Sequence, residues 1–231
     1  MYNLPTLCVD DFYDNPDSVR EFALSLNYDV NGNYPGMRTS DLSKIDEQFY
    51  FLSCNRILSS LFDLNREKIM LSISMHFQKI YPYSNDIDDP INSGWFHLDD
   101  PDGSAFAAGV IYLNPNSNLD AGTIIAKQTG PVGRTPENTA IRRNFYTELY
   151  KDPNYDRSKY RNSIISHNNN FTKTLEFKNV YNRMIFYDSM NYHKENSFFA
   201  HDSEPRLTQV FFIKFVEYDQ LPIDRAKVFQ L

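Results

Sequence analysis

The apolar positions of the first sixty residues follow a helical period. A helix is predicted over residues 16–26, because apolar side chains recur there at i, i+3, i+4 and i+7. These side chains are Val19, Phe22, Ala23 and Leu26. A second helix is predicted over residues 43–62, and it has too many apolar positions for a solvent-exposed helix. Both helices should therefore pack against a sheet, with a short strand before the first and a loop over residues 34–39 between them.

From Lys68 the pattern changes to a period of two, which indicates a strand with one buried face. The alternating apolar residues are Leu71, Ile73, Met75 and Phe77. Further strands are predicted over residues 106–114, 122–127, 171–177, 183–188 and 206–218. Several short strands joined by turns favour a sandwich or barrel. The chain is thus expected to be mainly β with supporting helices, an α+β protein.

Length and composition favour one globular domain. The chain has 231 residues, of which 41% are hydrophobic, and sandwiches or barrels of about 200–250 residues commonly fold as one unit. We expect residues 1–67 to form a strand and supporting helices, and residues 68–218 to form the β core. Residues 128–170 are polar, with helix-like stretches near 139–150 and 157–165. Such a long excursion is typical of a lid or an insertion.

Charge and hydropathy exclude some partners. The net charge is −7, whereas a nucleic-acid surface needs clustered Lys and Arg, so nucleic acid is an unlikely partner. No apolar run approaches the roughly 18–20 residues that cross a bilayer, and no membrane association is expected. Cys8 and Cys54 lack a C-x-x-C spacing, and the first residues do not resemble a signal peptide. A cytoplasmic location is therefore expected.

The residues with the most specific chemistry are His97 and Asp99, in the sequence Gly-Trp-Phe-His-Leu-Asp-Asp. Side chains alternate along a strand, so residues two apart share a face and can bind one metal ion. A second histidine from a distant strand would complete a two-histidine, one-carboxylate triad, which leaves three positions open on Fe(II). Tyr192-His193 and Arg206-Leu207-Thr208 follow far downstream.

In this order of motifs the chain resembles the Fe(II)/2-oxoglutarate-dependent oxygenases, in particular the prolyl-4-hydroxylase-like branch. The resemblance covers about residues 68–218, and the N-terminal helices fit the supporting layer of that fold. It implies a double-stranded β-helix, a jelly-roll or cupin-like core packed by N-terminal helices. It also implies that His97, Asp99 and His193 bind the iron.

The same resemblance implies a binding site for 2-oxoglutarate. Arg206 lies 13 residues after His193 and would hold the distal carboxylate, a role that suits a planar and permanently charged guanidinium. Thr208 lies on the same strand face and matches the family's Arg-x-Ser/Thr pattern. Tyr112 matches a tyrosine that contacts the same carboxylate in prolyl hydroxylases. Tyr81 corresponds more loosely to another tyrosine of that pocket.

The chain also departs from the compact family members. His193 follows Asp99 by 94 residues, and the excess lies in residues 128–170. Loops around the barrel mouth shape substrate binding. The insertion therefore leaves the identity of the substrate undetermined, while the metal-binding motif is intact.

The resemblance implies a dioxygenase that uses Fe(II), 2-oxoglutarate and O2. It would hydroxylate an unactivated C–H bond while 2-oxoglutarate is decarboxylated to succinate. A peptidyl or free amino acid is the expected substrate, and another small metabolite is the second choice. Two alternatives remain: a non-catalytic jelly roll for binding or assembly, and a metal enzyme of the same fold that does not use 2-oxoglutarate. Arg206 and Thr208 argue against the latter. The oligomeric state is not indicated.

Overall fold

The computed structural model describes residues 4–65, 68–99, 106–131, 136–148, 154, 156–200 and 204–217. The strands are β1 (Leu7–Val9), β2 (Val30–Gly32), β3 (Tyr34–Arg38), β4 (Met70–Ile80), β5 (Ala107–Tyr112), β6 (Thr123–Gln128), β7 (Phe171–Phe177), β8 (Met184–Asp188), β9 (Tyr192–Glu195) and β10 (Arg206–Glu217). The helices are α1 (Pro16–Ser25), α2 (Leu42–Ile45), α3 (Glu47–Ser59), α4 (Pro136–Glu148) and α5 (Arg157–Asn168), with a 3-10 turn at Pro90–Asn92. No helix in these ranges is both long and apolar enough to cross a membrane.

The strands form two antiparallel sheets. The larger sheet has seven strands in the order β1-β8-β5-β10-β4-β3-β2, and the smaller has three in the order β7-β6-β9. A cluster that includes Val110 and Tyr112 of β5 and Ile125 of β6 fills the space between them. Two packed antiparallel sheets with this strand order confirm the predicted double-stranded β-helix with a mainly β content.

The outer face of the larger sheet packs against the N-terminal helices. Ala23 of α1, Ile57 of α3, and Met75 and Phe77 of β4 are fully buried in one cluster. The alternation predicted for β4 is confirmed, because Met75 and Phe77 face the helices while His76 faces the other way and is only partly buried. The N-terminal helices therefore cover the outer face of the larger sheet.

Two predictions for the N-terminal region are wrong. Pro35-Gly36 predicts a loop, but β3 forms there, because Gly36 adopts a φ of 71° that lets it pass close to the backbone of β4. A Cβ on Gly36 would lie 2.0 Å from the Lys79 carbonyl oxygen. The single helix predicted over residues 43–62 is broken at Asp46, whose backbone is extended and whose side chain accepts a hydrogen bond from the Phe49 amide. Strand β9 is also absent from the sequence prediction.

In the sequence, helices α4 and α5 come between β6 and β7. Their side chains share a hydrophobic cluster. Phe145 of α4 stacks on Tyr160 of α5 with ring centroids 3.3 Å apart. Trp95, two residues before His97, is buried in the same cluster. Helices α4 and α5 are therefore packed against the part of the chain that carries the first predicted metal ligand.

Candidate metal and co-substrate site

The two histidines of the predicted triad face each other across a short antiparallel pairing. The His97 amide donates to the His193 carbonyl oxygen at 3.0 Å, and the His193 amide donates to the His97 carbonyl oxygen at 3.0 Å. Such a hydrogen-bonded pair places both side chains on the same face. One ligand atom from each of His97, Asp99 and His193 lies within 4.8 Å of the others. The structure thus brings all three predicted ligands together.

Both imidazole rings are oriented for metal binding. The Nδ1 atom of His97 lies 2.7 Å from the Trp95 carbonyl oxygen, and that of His193 lies 3.0 Å from the Asn191 carbonyl oxygen. A carbonyl oxygen only accepts, so the proton of each neutral ring is on Nδ1 and the lone pair is on Nε2. The Nε2 atoms lie on the side of Asp99, at 3.8 Å for His97 and 3.3 Å for His193. This is the arrangement that metal-binding histidines show.

The three groups shift one another's pKa values. Burial alone would raise the pKa of the Asp99 carboxyl, but the charges of His193, His97 and Arg38 outweigh it and hold this pKa at about 2. Burial lowers the pKa of His97 well below its ordinary value, and Arg142 and His193 add to the effect. Asp99 raises the pKa of His193 against the effect of burial. The carboxylate is therefore ionised at neutral pH, as a metal ligand must be.

Helix α5 fixes the backbone that precedes His97. The Asn168 side chain accepts from the Phe96 amide at 3.1 Å and donates to the Gly94 carbonyl oxygen at 3.1 Å. His167 Nε2 lies 2.7 Å from the Phe96 carbonyl oxygen. Residues 94–96, here called the metal loop, are thus held by the C-terminal end of α5.

The predicted anchor for 2-oxoglutarate lies at the start of β10. Arg206 is only 1% exposed, and its Nε donates to the Ala121 carbonyl oxygen at 2.8 Å. Thr208 is fully buried on the same face of β10 and pairs with Tyr112 of β5. The Tyr112 hydroxyl donates to Thr123 Oγ1 at 2.8 Å, and the Arg206 guanidinium lies 5.5 Å from the Tyr112 ring centroid. These three predicted residues are therefore neighbours.

Several buried polar atoms of this region have no hydrogen-bond partner. They include Asp99 Oδ2 at one end, and Arg206 Nη2 and Thr208 Oγ1 at the other. Orphaned buried groups are costly and rare in folded proteins. The first group offers negative charge beside two imidazole lone pairs, and the second offers donors to an anion. The residues present thus fit a divalent metal ion and a carboxylate.

One cavity connects the metal ligands to Arg206. Its wall includes His97, Asp99, His193 and Arg206. Tyr112 and Thr208 do not line it but adjoin residues that do, Thr123 and Gln78. Tyr81 is 50% exposed and is not brought to the site. The exposed position just beyond the end of β4 explains why.

Sequence reasoning missed three charged residues of the cavity wall, Arg38, Lys194 and Glu195. Glu195 lies two residues after His193 and hence on the same strand face, which was a usable indication. No sequence pattern pointed to Arg38, because residues 34–39 are predicted to form a loop.

A double-stranded β-helix with this triad and a buried arginine defines a class, the fold of the Fe(II)/2-oxoglutarate-dependent oxygenases, and solved structures of that class are similar to the chain. HygX from Streptomyces hygroscopicus, with nickel and 2-oxoglutarate bound, has a TM-score of 0.53 at 12% identity, covering 92% of this chain and 83% of its own. A prolyl hydroxylase from Trichoplax adhaerens, in complex with a hypoxia inducible factor peptide fragment, has a TM-score of 0.50 at 13% identity, covering 97% and 87%. The epimerase SnoN has a TM-score of 0.52 at 10% identity, covering 93% and 81%. At these sequence identities, the structural similarity shows a shared fold.

The chain belongs to DUF6445, described as a family of unknown function, whose profile matches residues 2–213. No curated protein matches the sequence.

Proposed function

We propose that this protein is an Fe(II)- and 2-oxoglutarate-dependent dioxygenase that hydroxylates an unactivated C–H bond. One observation supports the proposal above the others. A single cavity is lined by a carboxylate with an unpartnered oxygen, Asp99, beside two histidines at one end and by a guanidinium with an unpartnered nitrogen, Arg206, at the other. A metal-binding end and an anion-binding end in one cavity match a metal ion chelated by a dicarboxylic co-substrate.

Each residue has a separate role in this proposal. His97 Nε2, the Asp99 carboxylate and His193 Nε2 would hold the iron, and the carbonyl oxygens at Nδ1 keep both rings in place. Arg206 and Thr208 would bind the distal carboxylate of 2-oxoglutarate. Bound iron supplies the oxidising chemistry with O2, while 2-oxoglutarate is converted to succinate and CO2.

Around these ligands the protein contributes orientation and exclusion of water. The His193 ring packs against the Tyr187 ring at 4.5 Å between centroids. Tyr187 is buried, and burial raises the pKa of its hydroxyl well above the ordinary value, so it stays neutral. A neutral aromatic wall beside the ligands shields the oxidising centre from bulk solvent.

The proposed substrate is an amino acid, either free or within a peptide. Similar structures were solved with a peptide fragment in one case and with hygromycin B in another. These ligands belong to those proteins. They support only the view that this fold accommodates substrates from peptides to small molecules.

The proposal is tested by separating co-substrate binding from metal binding. Arg206→Gln should weaken 2-oxoglutarate binding by about tenfold or more, since it removes charged hydrogen bonds of roughly 1.5–3 kcal/mol, while the affinity for Ni(II) stays within about twofold of wild type. Both constants can be measured by calorimetry without oxygen. Arg183→Gln is the matched control, because Arg183 pairs with Asp10 at the surface. Equal loss of both affinities in Arg206→Gln would contradict the assigned role.

A further inference from the structure

Arg38 and Glu195 are two of the three charged residues of the cavity wall that hold neither the metal nor 2-oxoglutarate in the proposed site, and Lys194 is the third. Arg38 ends β3 and pairs with Gln78 of β4, which in turn pairs with Thr208 of β10. Directly paired residues share a face, so Arg38 lies in one row with Thr208 across the inner face of the larger sheet. Glu195 ends β9, two residues after His193 and on its face. Both side chains line the same cavity as the metal ligands.

The Arg38 guanidinium is held by aromatic rings and lacks a polar partner. It lies 3.8 Å from the Tyr34 ring centroid and 5.0 Å from that of Phe212. Its Nε is buried without a hydrogen bond, and it forms no ion pair within the described part of the chain. Burial lowers the pKa of Arg38, and the nearby carboxylates oppose this effect. An immobilised guanidinium with unsatisfied N–H groups is a site for a carboxylate.

One oxygen of the Glu195 carboxylate also lacks a hydrogen-bond partner. This oxygen, Oε2, is buried. It lies over the metal loop, where a Cβ on Gly94 would be 2.2 Å from Oε2, so a larger residue at position 94 would displace it. Lys194 also lines the cavity, and the Glu195 charge raises the pKa of its ammonium against the larger effect of burial. No ion pair joins the two side chains, and the Lys194 ammonium lies 5.4 Å from the Phe96 ring centroid. This carboxylate is therefore available to a cationic ligand group.

Arg38 and Glu195 could have satisfied each other, yet no ion pair joins them in the structure. A ligand that satisfies both must carry an anionic and a cationic group. A free α-amino acid carries a carboxylate and an ammonium group on one carbon, whereas a residue inside a peptide carries neither.

We infer that Arg38 binds the carboxylate and Glu195 binds the ammonium group of a free α-amino acid substrate, so that its side chain faces the metal centre. This inference rests on the proposed function. It narrows the substrate from an amino acid in either form to the free form.

The first experiment tests the substrate class. The wild-type protein with Fe(II) and 2-oxoglutarate is first examined without oxygen for the metal-to-ligand charge-transfer absorption, and each standard L-amino acid is then tested in air for stimulation of succinate release. At least one amino acid should stimulate release. Its decarboxylated amine and its N-acetyl derivative should bind about tenfold more weakly or worse, because each loses one charged interaction.

The second experiment assigns the two residues. Arg38→Gln and Glu195→Gln should each raise the Kd of that amino acid about tenfold or more, with the Kd of 2-oxoglutarate changed by less than about twofold. Glu195→Gln should not further weaken the N-acetyl derivative, and Arg38→Lys should restore part of the affinity. Matched surface controls are Arg20→Gln and Glu176→Gln, since both residues form exposed ion pairs. Circular dichroism verifies folding.

Several results would overturn the inference. With the absorption band present, failure of every free amino acid to stimulate release would do so, and so would equal binding of the free and N-acetyl forms. An equal loss of amino acid and 2-oxoglutarate binding in Arg38→Gln would place Arg38 in the co-substrate site instead. Absence of the band in the wild-type protein would overturn the proposed function as well, which distinguishes the two failures.

Discussion

The C-terminal end of α5 should control metal affinity although it carries no metal ligand. Asn168 makes two hydrogen bonds to the metal loop, one to the Phe96 amide and one to the Gly94 carbonyl oxygen, both at 3.1 Å. Asn168→Ala removes both and leaves two partly buried backbone groups of the metal loop without their partner. The backbone that leads into His97 then loses its main polar support.

The size of the effect follows from these two bonds. Each contributes about 0.5–1.5 kcal/mol net, so the free energy of unfolding should fall by about 1–3 kcal/mol. Groups that orient metal ligands typically change metal affinity by about 10–100-fold. Because Asn168 acts through the backbone and not on an imidazole, we expect about tenfold weaker Ni(II) binding. Asn168→Asp keeps the acceptor and loses the donor, and should have an intermediate effect.

The assay is Ni(II) titration by calorimetry together with urea unfolding of the metal-free protein. Asn170→Ala is the matched control, because Asn170 lies just beyond the same helix end and, among the described residues, its side chain donates only to the Ser166 and His167 carbonyl oxygens of α5. It should lose some stability and keep its metal affinity. Equal Ni(II) affinity in Asn168→Ala and Asn170→Ala would refute the reasoning.

Two further predictions concern the neighbouring structure. The Arg161 guanidinium donates to both carboxylate oxygens of Asp89 and lowers its pKa below the ordinary value of 3.8; Asp89→Asn should therefore reduce stability by about 1–3 kcal/mol at pH 7. That stabilisation exists above the unfolded-state pKa and is lost as pH falls through the folded-state pKa. The difference in urea unfolding between wild type and variant should therefore shrink as the pH is lowered below about 4. A difference that stays constant would contradict the assignment. Gly94→Ala should displace Glu195 and its strand and weaken Ni(II) binding, because the new Cβ would lie 2.9 Å from the Glu195 amide nitrogen; unchanged stability and affinity would show that the strand yields without cost.

The parts of the site that could be predicted from the sequence are those with local patterns. His97 and Asp99 share a strand face because of their spacing, and Arg206 with Thr208 does the same on β10. The strands β7 and β10 were predicted close to their observed limits because alternation is a short-range property. The distal His193 required the order of motifs that the resemblance supplied.

The parts that could not be predicted depend on pairing across the sheets. Arg38 reaches the cavity only because β3 pairs with β4, and Gly36 enables that pairing through a positive φ and a close backbone approach. Pro-Gly is otherwise typical of a turn. Tyr81 does not reach the site, because β4 ends one residue before it and its side chain is exposed.

The contacts of the 128–170 segment could not be predicted from its sequence either. Its composition predicts a lid or an insertion, but no pattern in it indicates which surface it contacts. In the structure α5 packs on Trp95 and holds the metal loop through His167 and Asn168. We propose that this segment acts first as a support for the metal site.

The central claim is that one cavity binds iron and 2-oxoglutarate together. The most direct test is visible absorption of the protein with Fe(II) and 2-oxoglutarate in the absence of oxygen, compared with Asp99→Ala. The account predicts a metal-to-ligand charge-transfer band in the wild-type protein and its loss in the variant, because the band requires iron held by the triad and chelated by the co-substrate. A wild-type protein without the band, or a band unchanged in Asp99→Ala, would contradict the account.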